Sequence, residues 1–132
     1  MDKKILIIED EPDIITYLQT ILEANGYQPY VATRVQDAWE LIQKVKPDLI
    51  CLDIMMPEET GISFYTQLRD ESEYDNIPVM VVSGVIQKGE FDFRSFVPDE
   101  KYPPPEHYME KPIKVDDFLN KVEKLTSANG HF

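Results

Sequence analysis

Residues 48–53 read "DLICLD", and residues 54–61 continue "IMMPEETG". A short apolar run that does not alternate with polar residues is the pattern of a strand covered on both faces. Strands of that kind belong to parallel sheets flanked by helices. The run stops at Asp53, an acid with nothing nearby in sequence to neutralise it, and breaks into a loop containing Pro57. Two questions follow: what covers this strand, and what compensates its terminal carboxylate.

Working outward, strand-like and helix-like segments alternate. "KKILIIE" (3–9) is a second continuous apolar run, followed by Ile14, Ile15, Leu18, Ile21 and Leu22 at helical spacing. Pro12 suits the first turn of that helix and Gly26 its C-terminal cap. "YQPYVA" (27–32) reads as a strand, which Pro29 confines to a sheet edge. Val35, Ala38, Leu41, Ile42 and Val45 mark a second helix ended by Pro47, and Ile62, Tyr65 and Leu68 a third. "IPVMVVS" (77–83) is a fourth strand and "HYMEKP" (107–112) holds a short fifth. Val115, Phe118, Leu119, Val122 and Leu125 form a last amphipathic helix. The alternation predicts an α/β fold, a doubly wound five-stranded parallel sheet of flavodoxin-like order 2-1-3-4-5. Its sites should lie at the carboxyl ends of strands beside the switch between strands 1 and 3.

A length of 132 residues is one domain's worth of chain, and 42% hydrophobic residues suit a globular protein. The one cysteine, Cys51, excludes an intrachain disulfide, and the apolar part of the N-terminus is too short for a secretory signal or a membrane span. A cytoplasmic location is expected. The net charge of −12 argues against direct nucleic-acid binding, which needs basic patches.

Glu9 and Asp10 end strand 1 and Asp53 ends strand 3, so the expected strand order crowds three carboxylates into one crevice. Like charges that close raise one another's pKa unless something compensates, and Mg²⁺, which takes one or two carboxylates and leaves room for phosphate oxygens, is the economical solution. Glu11 and Asp13 are explained by helix-start chemistry alone, since acids complement the helix dipole there. Ser83 closes strand 4, before Gly84, and Lys111 closes strand 5, before Pro112. Carboxylates, hydroxyl and ammonium at carboxyl strand ends suit phosphoryl transfer to a carboxylate. Asp53 would be the nucleophile, Lys111 and the metal would neutralise phosphoryl oxygens, and Ser83 would donate a hydrogen bond.

The pieces "IIEDEPD", "PDLICLDIMMPEETG", "VMVVSG" and "YMEKP" together resemble the receiver domain of bacterial two-component response regulators, over residues 3 to about 83 and 107 to about 125. The resemblance implies Asp53 as phosphoacceptor and Glu9 and Asp10 as Mg²⁺ ligands, with the Met55 main-chain carbonyl as a further ligand. It implies Ser83 as switch hydroxyl, Lys111 as phosphate-contacting cation, Tyr108 as switch aromatic and a cis Lys111–Pro112 bond. Pro57 and Gly61 match its loop after the phosphoacceptor. On this basis residues 1–126 are expected to form the receiver and 127–132 a flexible tail. The phosphodonor would be a histidine kinase, and the output an unidentified protein or a second copy of the chain, with neither DNA nor membrane contacted.

Residues 84–107 depart from the family pattern. They are longer than the usual fourth helix and turn, contain Pro98 and Pro103, Pro104 and Pro105, and lack sustained helical periodicity. Helix 4 is therefore expected to be shortened or replaced by an irregular loop packed partly on the sheet. Residues 84–106 and the last helix are expected to carry output to a partner or a second copy, with Phe91, Phe93, Phe96 and Tyr102 as apolar anchors of that surface. Three rival readings make different demands on the sequence. A haloacid-dehalogenase-type phosphatase would need an aspartate where Met55 stands. A flavin carrier would need a Ser/Thr/Gly-rich loop where the acids stand. A degenerate receiver acting as a phosphorylation-independent interaction module would keep every site residue.

Overall fold

The computed structural model describes residues 2–55, 61–84 and 92–129. In chain order the elements are β1 (Lys4–Ile8), α1 (Pro12–Ala24), β2 (Gln28–Ala32), α2 (Val35–Val45), β3 (Leu49–Leu52) and α3 (Gly61–Asp70). There follow β4 (Val79–Ser83), α4 (Phe93–Phe96), β5 (His107–Glu110) and α5 (Val115–Asn129). The strands form one parallel sheet in the order β2-β1-β3-β4-β5.

The continuous apolar runs have a direct structural cause. Successive side chains of a strand point to opposite faces, and here both faces are covered. Leu6, Ile8, Ile50 and Leu52 face α2 and α3, packing on Ala38, Ile42, Phe64 and Leu68. Ile5, Ile7, Leu49 and Cys51 face α1 and α5, against Leu18, Leu22, Phe118 and Val122. Each fully buried side chain of this size contributes about 1.5–3 kcal/mol, so both faces lock the sheet between its helical layers. Cys51 is one of these packing residues, and burial pushes its thiol up to about 12.

Pro12 opens α1, and the helix closes as anticipated: Gly26 adopts φ +85° while the Tyr27 N–H returns to Leu22 O at 3.0 Å. α2 ends on Lys46 at φ +55°, one residue before Pro47. At the other terminus α5 runs to Asn129, past the expected receiver boundary at residue 126. Thr126 is buried at 2% exposure, and its hydroxyl donates within the helix to Val122 O at 2.8 Å.

Where an ordinary fourth helix was not expected, α4 is a single turn. Asp92 caps it by accepting from the Arg94 N–H, and Phe93 and Val97 enter the core at 6% exposure each, while Phe96 is 62% exposed. The Arg94 guanidinium then donates to the carbonyls of Val97, Asp99 and Tyr102, closing residues 94–102 on themselves. α3 fastens this strap: Tyr65 donates to Pro103 O at 2.6 Å, and the Tyr102 hydroxyl bonds Asp70 at 2.8 Å. Phe91 lies outside the described residues.

Candidate functional site

Because β1 and β3 are neighbours, their carboxyl ends open into one crevice. The Asp53 N–H donates to Ile8 O at 3.0 Å and the Glu9 N–H to Ala32 O at 3.1 Å, extending the strand pairing by one step and fixing both residues at the sheet edge. One carboxylate oxygen each from Glu9, Asp10 and Asp53 lies within 4.8 Å of the others. Glu9 is 2% exposed and Asp53 3%, so these are withdrawn charges rather than a solvated acidic face.

Lys111 supplies part of the compensation. Its main-chain N–H bonds Ser83 O at 3.1 Å, and the Lys111–Pro112 peptide is cis. The side chain reaches back over the crevice, with Nζ 2.9 Å from Glu9 Oε1, 2.8 Å from Glu11 Oε1 and 3.8 Å from Asp53 Oδ2. Burial pushes the Glu9 carboxyl up to about 7. The Lys111 hydrogen bond works against this and the Asp53 charge with it. For Lys111, burial alone would lower the pKa, but the hydrogen bonds to Glu11 and Glu9 and the charge of Asp53 outweigh it and hold the ammonium above its ordinary value.

The Asp53 carboxylate is oriented from its own loop, Oδ1 accepting the Met55 N–H at 3.0 Å. Gly61 closes over it from the start of α3. A Cβ there would lie 2.6 Å from Asp53 O and 2.7 Å from Ile54 Cα, so this close approach requires glycine. Ser83, fully buried, ends β4 on the same edge of the sheet. Tyr108 sits on β5 opposite Val81, half-buried, beside a cavity of about 300 Å³ shared with Asp92, Phe93, Arg94 and Pro104. Burial first, then the neighbouring Tyr65, pushes its hydroxyl up to about 12. Pro57 lies outside the described residues. A larger groove of about 690 Å³ runs between β5 and α5, away from the carboxylates, so the site is identified by its donor set and not by volume.

The structure thus brings Glu9, Asp10, Asp53 and Lys111 together, with Ser83 and the Met55 main chain alongside. It adds one residue that sequence reasoning assigned to helix-start chemistry alone, Glu11, whose carboxylate lies on Lys111. No local signal could have found that pair, whose members are 100 residues apart.

Residues 5–123 match the family model described as the response regulator receiver domain, and the chain belongs to that family. It is a receiver domain of the two-component type. It is similar to the polar-differentiation response regulator DivK of Brucella anthropi, 30% identical over 125 residues that cover 93% of this chain and 95% of that protein. Protein Rrf1 of Nitratidesulfovibrio vulgaris is 34% identical over 83 residues, 63% of this chain and 60% of that one. Among solved structures, the signal receiver domain of a signal transduction histidine kinase from Syntrophus aciditrophicus superposes with a TM-score of 0.82 at 27% identity, covering 98% of this chain and 94% of that one.

Proposed function

We propose that the chain is an Mg²⁺-dependent phosphoacceptor, taking a phosphoryl group from a histidine kinase onto Asp53 and signalling through altered protein contacts. The observation that carries this reading is the withdrawn Asp53 carboxylate, set among Glu9 and Asp10 and 3.8 Å from an ammonium. The donor set is all oxygen and carboxylate-rich, which fits a hard divalent cation. Glu9, Asp10 and Asp53 would hold Mg²⁺ together with the Met55 carbonyl. When bound, it supplies positive charge to the phosphoryl oxygens.

The remaining chemistry belongs to the chain. An Asp53 oxygen forms the bond to phosphorus as the donor's N–P bond breaks, and the electron pair stays on the imidazole nitrogen, which takes up a proton. Lys111 neutralises a phosphoryl oxygen, and Ser83 donates to another. The added charge, about −1.5 to −2, biases an existing equilibrium of Ser83, Lys111 and Tyr108 rather than building a new fold. Output would leave through residues 84–106 and α5, toward a partner protein or a second copy. A cytoplasmic location accords with this role, and no helix among the described residues is long and apolar enough to cross a membrane.

Intact mass after incubation with a small phosphodonor tests the reading. One phosphoryl group should appear with Mg²⁺, and none in Asp53→Asn. Incorporation into that variant would remove Asp53 from its role. Partner binding by a wild-type protein that takes up no phosphate would favour an interaction module instead.

A further inference from the structure

Resting on Asp53 as phosphoacceptor, we propose that Glu11 is a positioning residue that parks the Lys111 ammonium away from Asp53 until a phosphoryl group arrives. An ammonium has three N–H donors. Two are spent on Glu11 at 2.8 Å and Glu9 at 2.9 Å, whereas Asp53 at 3.8 Å is beyond hydrogen-bond range. A phosphoryl group on Asp53 competes with both glutamates for this ammonium.

The two glutamates differ in how easily they release it. Glu9 is 2% exposed, and its other oxygen already accepts the main-chain N–H groups of Asp10 and Glu11, each at 3.1 Å. Without the metal, losing Lys111 would leave a buried carboxylate oxygen uncompensated, a costly outcome that only Mg²⁺ at this site would relieve. The Glu11 side chain is 58% exposed, so water can replace the ammonium, and pairs of that exposure are weak. Glu11 is therefore the contact that breaks.

Its placement supports the same conclusion. Glu11 occupies the N-cap of α1, a position where serine, threonine, asparagine and aspartate are preferred because their side chains bond the free N–H groups. Its side chain makes no capping bond; the carboxylate is turned to Lys111 instead. The main chain is held firmly, with the Glu11 N–H on Glu9 Oε2 at 3.1 Å and its carbonyl accepting the Ile15 N–H at 3.0 Å. The carboxylate thus projects from a fixed helix start and competes with an incoming phosphoryl oxygen for one cation.

The test uses beryllofluoride with Mg²⁺ as the phosphoryl mimic, followed by fluorine NMR, together with the Lys111 side-chain nitrogen resonance of the Mg²⁺-free protein. In Glu11→Gln the Lys111 resonance should lose protection from exchange, and the mimic should bind roughly two- to fivefold tighter, the span expected for losing one exposed pair. Glu11→Asp keeps the charge but is a methylene shorter, and should release Lys111 in the same way. Asp13→Asn removes an exposed acid of the same helix start and should change neither readout. Unchanged binding in Glu11→Gln, wild-type behaviour of Glu11→Asp, or an equal gain in Asp13→Asn would overturn the role of Glu11. If the wild type takes up no beryllofluoride, the phosphoacceptor reading falls and this role with it. If it does and Glu11→Gln matches it, only the parking is wrong.

Discussion

The Arg69 guanidinium lies 4.8 Å over the ring of Tyr65 and donates Nε to that residue's hydroxyl at 3.1 Å, with only 5% of the arginine side chain exposed. The same cation reaches the carbonyls of Asp75 and Ile77 and the carboxylate of Glu106, and the Tyr65 hydroxyl donates a hydrogen bond to Pro103 O. One buried arginine therefore ties α3 to the entry of β4 and to the end of the strap.

Replacing Arg69 with methionine keeps much of the apolar stem but orphans the acceptors around it. Each withdrawn group left without a partner costs about 1–3 kcal/mol, so a loss of about 2–3 kcal/mol is expected. Urea denaturation gives the magnitude. Hydrogen exchange should accelerate at the Tyr102 amide, which bonds Asp99 O inside the strap.

The two phenylalanines of α4 should separate stability from recognition. Phe93 is 6% exposed and meets Tyr65 edge-on at 5.6 Å, so Phe93→Ala should cost about 3–5 kcal/mol. Phe96 is 62% exposed, and Phe96→Ser should stay within about 0.5 kcal/mol. If the strap carries output, capture of the partner or self-association measured by calorimetry should weaken in the Phe96 variant. Unaltered binding would confine the strap to replacing a helix.

Gly61→Ala places a Cβ against main-chain atoms of Asp53 and Ile54, which cannot rotate aside. Overpacking of this kind costs about 1–3 kcal/mol. Since the displaced backbone carries the Asp53 carboxylate, phosphoryl uptake by intact mass should slow beyond what the shift in melting temperature explains.

His107, half-buried on the edge strand β5, has its pKa lowered below 6.5 by burial and then by the charge of Lys121. Above the unfolded value both states are neutral and the residue is silent. As pH falls, the unfolded chain protonates first, so the stability present above the unfolded pKa is lost as pH passes down through the folded one. Between about pH 7.5 and 5.5 the wild type should lose more stability than His107→Gln. Parallel slopes for the two proteins would show that His107 titrates alike in both states.

The local pattern was enough to establish the architecture. Unbroken runs as short as Ile5–Ile8 and Leu49–Leu52 fit strands buried on both sides, and helical spacing between them dictates the layers. Once the strand order follows, Glu9, Asp10, Asp53, Ser83 and Lys111 arrive at one edge because each directly ends or follows a strand. That inference needs only positions along the chain. What periodicity cannot carry is the pairing of polar groups across the fold. The contact of Glu11 with Lys111 depends on the side chain's direction at the start of α1. The strap has no repeat to read, and its conformation is imposed by Tyr65, Arg69 and Asp70 on α3. Thr126, a polar residue on α5, is buried where apolar spacing gives no reason to expect it. Apolar burial follows a short-range rhythm that the sequence displays, whereas hydrogen-bonded pairs form between residues tens of positions apart and exist only once the chain has folded.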